Sequence, residues 1–175
     1  GEFTVEQPLT LTVTHVNRAP EMQPVKPQNT DENTQLQFTV VSSDPDKEDE
    51  GKTKLSSSQL PEGASFDVTN GLFTWTPTYE QSGEYNVIFT IADPAGLTAT
   101  QSTTINVNHV NRPPVLTAVS AQIVNENSPL TFTLVATDPD KEDNGKLKFS
   151  CENLPAGAGL STVDLLLIVI ILLVI

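Results

Sequence analysis

Asp44-Pro45-Asp46 and Asp138-Pro139-Asp140 each set two carboxylates at positions i and i+2 in a segment that reads as a strand end. Side chains two residues apart in an extended chain project to the same side, so each pair can share one hard cation. The loop is not an EF-hand, because Glu48 is followed by Asp49 where that loop needs glycine and no bidentate Glu falls at its last position. His15 and His109 are the only histidines, and neither has a serine, cysteine or second histidine at a catalytic spacing. They read as linker packing. Trp75 and Tyr79 flank Thr76-Pro77-Thr78 and are candidates for a sugar-stacking platform, with packing at a strand end as the competing reading. Lys47, Lys52 and Lys54 read as solvated loop charges.

These groups recur because the chain repeats. Residues 15–64 return at 109–158 without a gap, HVNRAP…LPEGA becoming HVNRPP…LPAGA, at an offset of 94 positions (109 − 15). A fixed period of this kind marks a tandem array, and a module used many times over argues against a single catalytic centre. TVEQPLTLTVTHVNR at 4–18 lies over TATQSTTINVNHVNR at 98–112, so residues 1–18 read as the last strand of a preceding repeat, with Gly1-Glu2-Phe3 a cloning remnant. Residues 19–112 form one complete repeat and 113–158 the first half of the next.

Residues 159–175 depart from the pattern, ending in an eleven-residue run of Leu, Ile and Val. A bilayer span needs about 20 apolar residues, so this run is too short to cross one. Uncharged, β-branched and free of proline, it reads as an aggregation-prone strand and as an artefact, a truncation product or out-of-frame tail. The last unit is then expected to stay partly disordered, to pair with the tail, or to borrow strands from another molecule.

With 22 acidic against 9 basic residues and a net charge of −13, the chain is a poor partner for nucleic acid. Such a surface stays soluble and can attract divalent cations. The single cysteine, Cys151, stands where the first copy has Ser57, which excludes a disulfide framework, and no Asn-x-Ser/Thr sequon occurs. Both absences point to a bacterial or archaeal surface protein rather than an animal ectodomain.

The alternation of Tyr85, Val87, Phe89 and Ile91 predicts a half-buried strand, followed after Asp93-Pro94-Ala95-Gly96 by another with Ile105 and Val107 inward. Leu36, Phe38 and Val40 alternate likewise, as do Phe132 and Leu134. Asn70-Gly71 predicts a hairpin between residues 66–68 and 72–75. Thirteen prolines, short strands and the lack of any long amphipathic helix predict an all-β fold of tandem immunoglobulin-like sandwiches, about seven strands each. Gln81-Ser82-Gly83-Glu84-Tyr85 has the pattern of a tyrosine corner.

VNENSPLTFTLVATDPDKEDNGKLKFS resembles the opening half of a cadherin repeat, and LPEGASFDVTNGLFTWTPTYEQSGEYNVIFTIADPAG resembles the dystroglycan-type cadherin-like, immunoglobulin-like modules of large bacterial surface proteins. The resemblance runs to about Gly157 and implies calcium bound at the interdomain junctions. Carried over position by position, the second junction would use Glu32, Glu80, Asp138 and Asp140, with Asn111 and Asn144 adding oxygens. The first would use Asn17, Asp44, Asp46 and Asp93. Cadherin linkers read D-x-N-D-N-x-P, whereas these read His15-Val16-Asn17-Arg18-Ala19-Pro20 and His109-Val110-Asn111-Arg112-Pro113-Pro114, so the linker aspartates are gone and an arginine stands in one place. A guanidinium cannot ligate calcium but can pair with Glu32, Glu80 or the D-x-D carboxylates. Two arrangements follow: calcium at one reduced site per junction or at the D-x-D loop itself, or a metal-free junction organised by arginine.

The leading functional expectation is a non-catalytic, extracellular module that extends and stiffens a surface or adhesin protein, with calcium bound at the interdomain junctions and proline-containing linkers restricting interdomain swing. The alternative is an adhesion module that binds carbohydrate or another adhesin, with metal-free, arginine-organised junctions. No constellation supports an enzyme.

Overall fold

In the computed structural model the described residues are 1–143, 145–154, 158–163 and 166–172, with side chains described up to residue 160. The chain divides into two compact units, Gly1–His109 and Val110–Ile175.

The first unit is a two-sheet sandwich. Its strands are β1 (Glu21–Met22), β2 (Gln28–Asp31), β3 (Leu36–Thr39), β4 (Ser42–Ser43), β5 (Lys54–Ser58), β6 (Ser65–Asp67), β7 (Leu72–Trp75), β8 (Gly83–Ala92) and β9 (Thr98–Asn108). One sheet has the order β2-β9-β8-β5 and the other β3-β7-β6, giving the seven expected strands, with β1 and β4 a separate short pair. All neighbours are antiparallel except β2, which runs parallel to β9 from Gln28↔Ile105 to Asp31↔Asn108. The predicted alternation is what the sandwich buries: Val87, Phe89, Ile91 and Ile105 are fully enclosed, together with Phe73 and Trp75 from the facing sheet. Each such side chain contributes about 1.5–3 kcal/mol relative to exposure. Phe38 stacks on Phe73 at 4.7 Å, and Phe73 meets Phe89 edge-on at 6.3 Å, so aromatic contact joins the sheets.

Two local predictions are refined. The Tyr85 hydroxyl donates to the Gln81 carbonyl at 3.1 Å, closing the tyrosine corner. The Asn70-Gly71 hairpin is wider than a two-residue turn: Asp67 pairs with Leu72, and Val68 lies in the loop. Only Gly71 there has positive φ, +71°, and a Cβ at this position would collide with the Val40 carbonyl. Residues 1–20 carry no strand, so the last strand read at residues 1–18 is not formed in this structure.

The second unit has β10 (Val115–Leu116), β11 (Pro129–Leu134), β12 (Ala136–Thr137), β13 (Ala158–Val163) and β14 (Leu166–Leu172). It repeats half of the first, at the same offset for β10 and β12 and with β14 paired two residues further along. Val115↔Thr137 reproduces Glu21↔Ser43, and the order β11-β14-β13 reproduces β3-β7-β6, with Leu130↔Ile171 in place of Leu36↔Trp75. Of the three fates expected for this unit, pairing with the tail is the one adopted. Among the described residues no strand corresponds to β8 or β9. Among the residues there whose side chains are described, Asp140 is the one that is buried.

Candidate functional site

After β4 the chain turns through Asp44-Pro45-Asp46 into a single 3-10 turn, Lys47–Asp49. The Asp46 N–H donates to Asp44 Oδ1 at 2.9 Å and the Asp49 N–H to the Asp46 carbonyl at 3.0 Å. This folds three acids onto one spot, where Asp44, Asp46 and Asp49 each offer a carboxylate oxygen within 4.8 Å of the others. The second unit repeats the cluster with Asp138, Asp140 and Asp143, and the Asp140 N–H donates to Asp138 Oδ1 at 2.9 Å.

The middle acid is not open to solvent. Asp46 is 2% exposed, and its Oδ2 accepts the Arg18 backbone N–H at 2.6 Å. Its Oδ1 accepts from Arg18 Nε at 2.8 Å and faces Nη2 at 2.7 Å, while the same guanidinium donates to the Pro45 carbonyl. His15 Nε2 lies 3.6 Å from Oδ2. The Arg18 N–H, followed by its side chain, holds the carboxyl below the usual carboxylate range against the opposing effect of burial. Asp140, 1% exposed, takes Arg112 in the same way, with the backbone N–H at 2.6 Å and Nε at 2.7 Å, and the guanidinium on the Pro139 carbonyl. Charge-assisted bonds of this length are about twice as strong as neutral ones. One oxygen of the first cluster, Asp44 Oδ2, is buried with no hydrogen-bond partner.

Other expected ligands have different employment. Asp93 Oδ2 accepts from Asn17 Nδ2 at 2.8 Å and Oδ1 from the Leu97 N–H at 2.8 Å, and the Asn17 amide is the largest cause of its lowered pKa. It shapes the β8–β9 turn and holds the linker. Glu32, 2% exposed, accepts the Ser82 N–H on Oε1 at 3.0 Å and meets His109 Nδ1 through Oε2 at 3.0 Å. Glu80 is exposed, its N–H 3.4 Å from Thr78 Oγ1. Asn111 Nδ2 lies 3.4 Å from the Arg112 carbonyl, and Asn144 falls outside the described residues.

Three readings need correction. Trp75 is 1% exposed, with Nε1 donating to the Glu62 carbonyl at 3.1 Å and its ring edge-on to Tyr85 at 4.8 Å, so it offers no face to a sugar. Tyr79 lies instead beside Asn33, whose Nδ2 reaches its hydroxyl at 3.3 Å. The histidines do more than pack the linker, since each faces a buried carboxylate. Lys52 is not simply solvated, because its Nζ donates to the Glu48 carbonyl across the acidic loop. Asp49 and Asp143 went unrecognised as cluster members. The signal available was an acid at i+5 after a D-P-D that enters a one-turn helix.

Residues 18–108 match the family described as "Putative Ig domain", and the chain belongs to that family. It is 28% identical over 182 residues to Integrin beta-like protein A of Dictyostelium discoideum, covering 91% of this chain and 9% of that protein. Among solved structures it resembles extracellular cadherin domains 1–4 of Protocadherin Gamma B7, with a TM-score of 0.53 at 16% identity over 87% of this chain and 40% of that one. Domains 1–5 of Protocadherin Gamma B2 give a TM-score of 0.53 at 18% identity, over 86% of this chain and 32% of that one. The chain therefore spans less than half the length of each of these relatives, and at such identities the cadherin likeness establishes the fold. No helix among the described residues is long and apolar enough to cross a membrane.

Proposed function

We propose that this chain is a non-catalytic, extracellular repeat that extends and stiffens a larger surface or adhesin protein, with each linker fastened to the domain that follows it by an arginine. The observation that carries this reading is the repetition of the clamp. Arg18 on Asp46 and Arg112 on Asp140 use the same atoms, 28 residues apart in both units. A guanidinium seated on one oxygen of the buried acid, with the arginine's own backbone N–H on the other, supplies there the positive charge a bound cation would supply. The resemblance to Integrin beta-like protein A supports a place in an adhesion-type protein. Recognition of carbohydrate or of another adhesin is the competing binding reading, and buried Trp75 takes no part in it.

Calcium is the second reading, favoured by the buried, unpartnered Asp44 Oδ2 and the nearby Asp49 carboxylate. Asp44, Asp46 and Asp49 would hold the ion, with Asp138, Asp140 and Asp143 as the twin set. These acids supply few of the six to eight oxygens calcium takes.

Thermal unfolding and calorimetric titration of the metal-stripped protein distinguish the two. Under the arginine reading, millimolar calcium leaves Tm unchanged and releases no heat beyond dilution. A calcium-dependent rise in Tm, abolished by Asp44→Ala and by EDTA, would replace it with the metal reading.

A further inference from the structure

The loop that joins β6 to β7 brings together the parts of an intramolecular reaction. Asn70 is exposed there and is followed by glycine, a pair that recurs in the chain only at Asn144-Gly145, which includes a residue outside the described ones. Asn70 Oδ1 accepts the Leu72 N–H at 3.0 Å. A bond from the residue two places on folds the side chain forward along the backbone, toward the Gly71 nitrogen, and sets a donor on the amide oxygen where negative charge would develop. Every other described asparagine is followed by a residue with a side chain, whose Cβ crowds the corresponding nitrogen. The Gly71 N–H donates to the Asp67 carbonyl at 2.8 Å, so this nitrogen becomes free to react when the turn opens locally.

We propose that Asn70 is a self-modification site, at which the folded domain slowly converts its own side-chain amide to an acid. The Gly71 nitrogen attacks Asn70 Cγ, the Cγ–Nδ2 bond breaks, and Nδ2 leaves as ammonia with the proton that Gly71 gives up through water. The product is a five-membered cyclic imide. Water then opens the ring on either side: at Cγ it leaves aspartate, and at the main-chain carbonyl it leaves an isoaspartyl link whose backbone runs through Cβ and Cγ. Both products carry a new negative charge. Aspartate keeps the acceptor for the Leu72 N–H. The isoaspartyl link instead lengthens the main chain where Gly71 is fixed, since its carbonyl accepts the Val40 N–H at 2.8 Å and its Cα lies too close to the Val40 carbonyl for a side chain. Val40 and Phe73, on either side of this contact, belong to the core, so the change loosens the β3-β7-β6 sheet at that corner. The reaction needs no enzyme, so it records the age of the domain and weakens older copies.

Long incubation of the folded protein in heavy-oxygen water at mildly alkaline pH, followed by peptide mapping with mass spectrometry, tests this. The expected result is loss of ammonia and uptake of a solvent oxygen at Asn70, at least about tenfold faster than at Asn33 or Asn86, with the isoaspartyl form among the products. In thermal unfolding the isoaspartyl fraction of the aged protein melts below the fresh protein, while Asn70→Asp melts with it. Asn70→Gln, whose longer side chain closes a less favourable ring, keeps its own starting Tm through the same incubation. Conversion of Asn70 in urea but not in the folded protein overturns the proposal, because the Asp67 bond would then protect the turn. Conversion of Asn70 no faster than that of Asn33 overturns it as well.

Discussion

Arg18 reaches Asp46 with its main chain and its side chain at once, the N–H at 2.6 Å from one carboxylate oxygen and Nε at 2.8 Å from the other. The contact fixes the direction of the linker as well as its charge, because a backbone donor cannot move without moving the chain. Arg112 and Asp140 repeat it.

Replacing Arg18 by Ala keeps the backbone N–H on Asp46 but removes the guanidinium that balances its buried charge, so the domain melts at a lower temperature. The Arg18 side chain is 61% exposed and solvent screens it, so the drop is modest, though larger than for Lys47→Ala on the same loop. Arg18→Lys recovers only part of it, because an ammonium cannot span both the carboxylate and the Pro45 carbonyl. Parallel melting curves of the three variants are the measurement.

The protein loses stability in acid through Asp46 and Asp93. Both carboxyls titrate below the ordinary value of 3.8 when folded, Asp46 through Arg18 and Asp93 chiefly through Asn17. The unfolded chain therefore binds more protons over that range, and the stabilisation, complete above the ordinary value, disappears as pH falls through the lowered ones. Urea midpoints taken from about pH 5 down to about pH 2 should fall, and Asp93→Asn should flatten the slope.

Trp75→Ala is a core mutation. Its cost is about 3–5 kcal/mol from lost burial and the cavity left behind. Denaturant unfolding reads the loss, and any fall in glycan binding should track the unfolded fraction rather than precede it.

Tyr85→Phe removes the hydrogen bond to Gln81 while keeping the ring against Trp75. The expected loss is about 0.5–1.5 kcal/mol, or roughly 4–8 °C in Tm for each kcal/mol in a domain of this size. An unchanged Tm would mean that the corner is held by packing alone.

The sandwich was legible in the sequence because burial on one face of a strand imposes a period of two, and Val87, Phe89 and Ile91 wrote that period openly. The D-x-D pairing was legible for a similar reason. What escaped depended on contacts far apart in sequence. Nothing local marks Glu32 as the partner of His109, 77 residues away, and the same exposed-looking sequence around Trp75 serves a surface aromatic or a buried one. Asp49 escaped because a one-turn helix breaks the extended geometry from which the acids were counted.

The parallel run of β2 and β9 decides how the complete domain answers to tension. β2 lies near the start of the domain and β9 at its end, and they sit side by side pointing the same way. Pulling the two ends apart loads their shared hydrogen bonds lengthwise and together, where a hairpin pulled from its open end would release them one by one. A string of such domains would resist a sharp pull as a set of independent latches, each yielding whole and at its own moment.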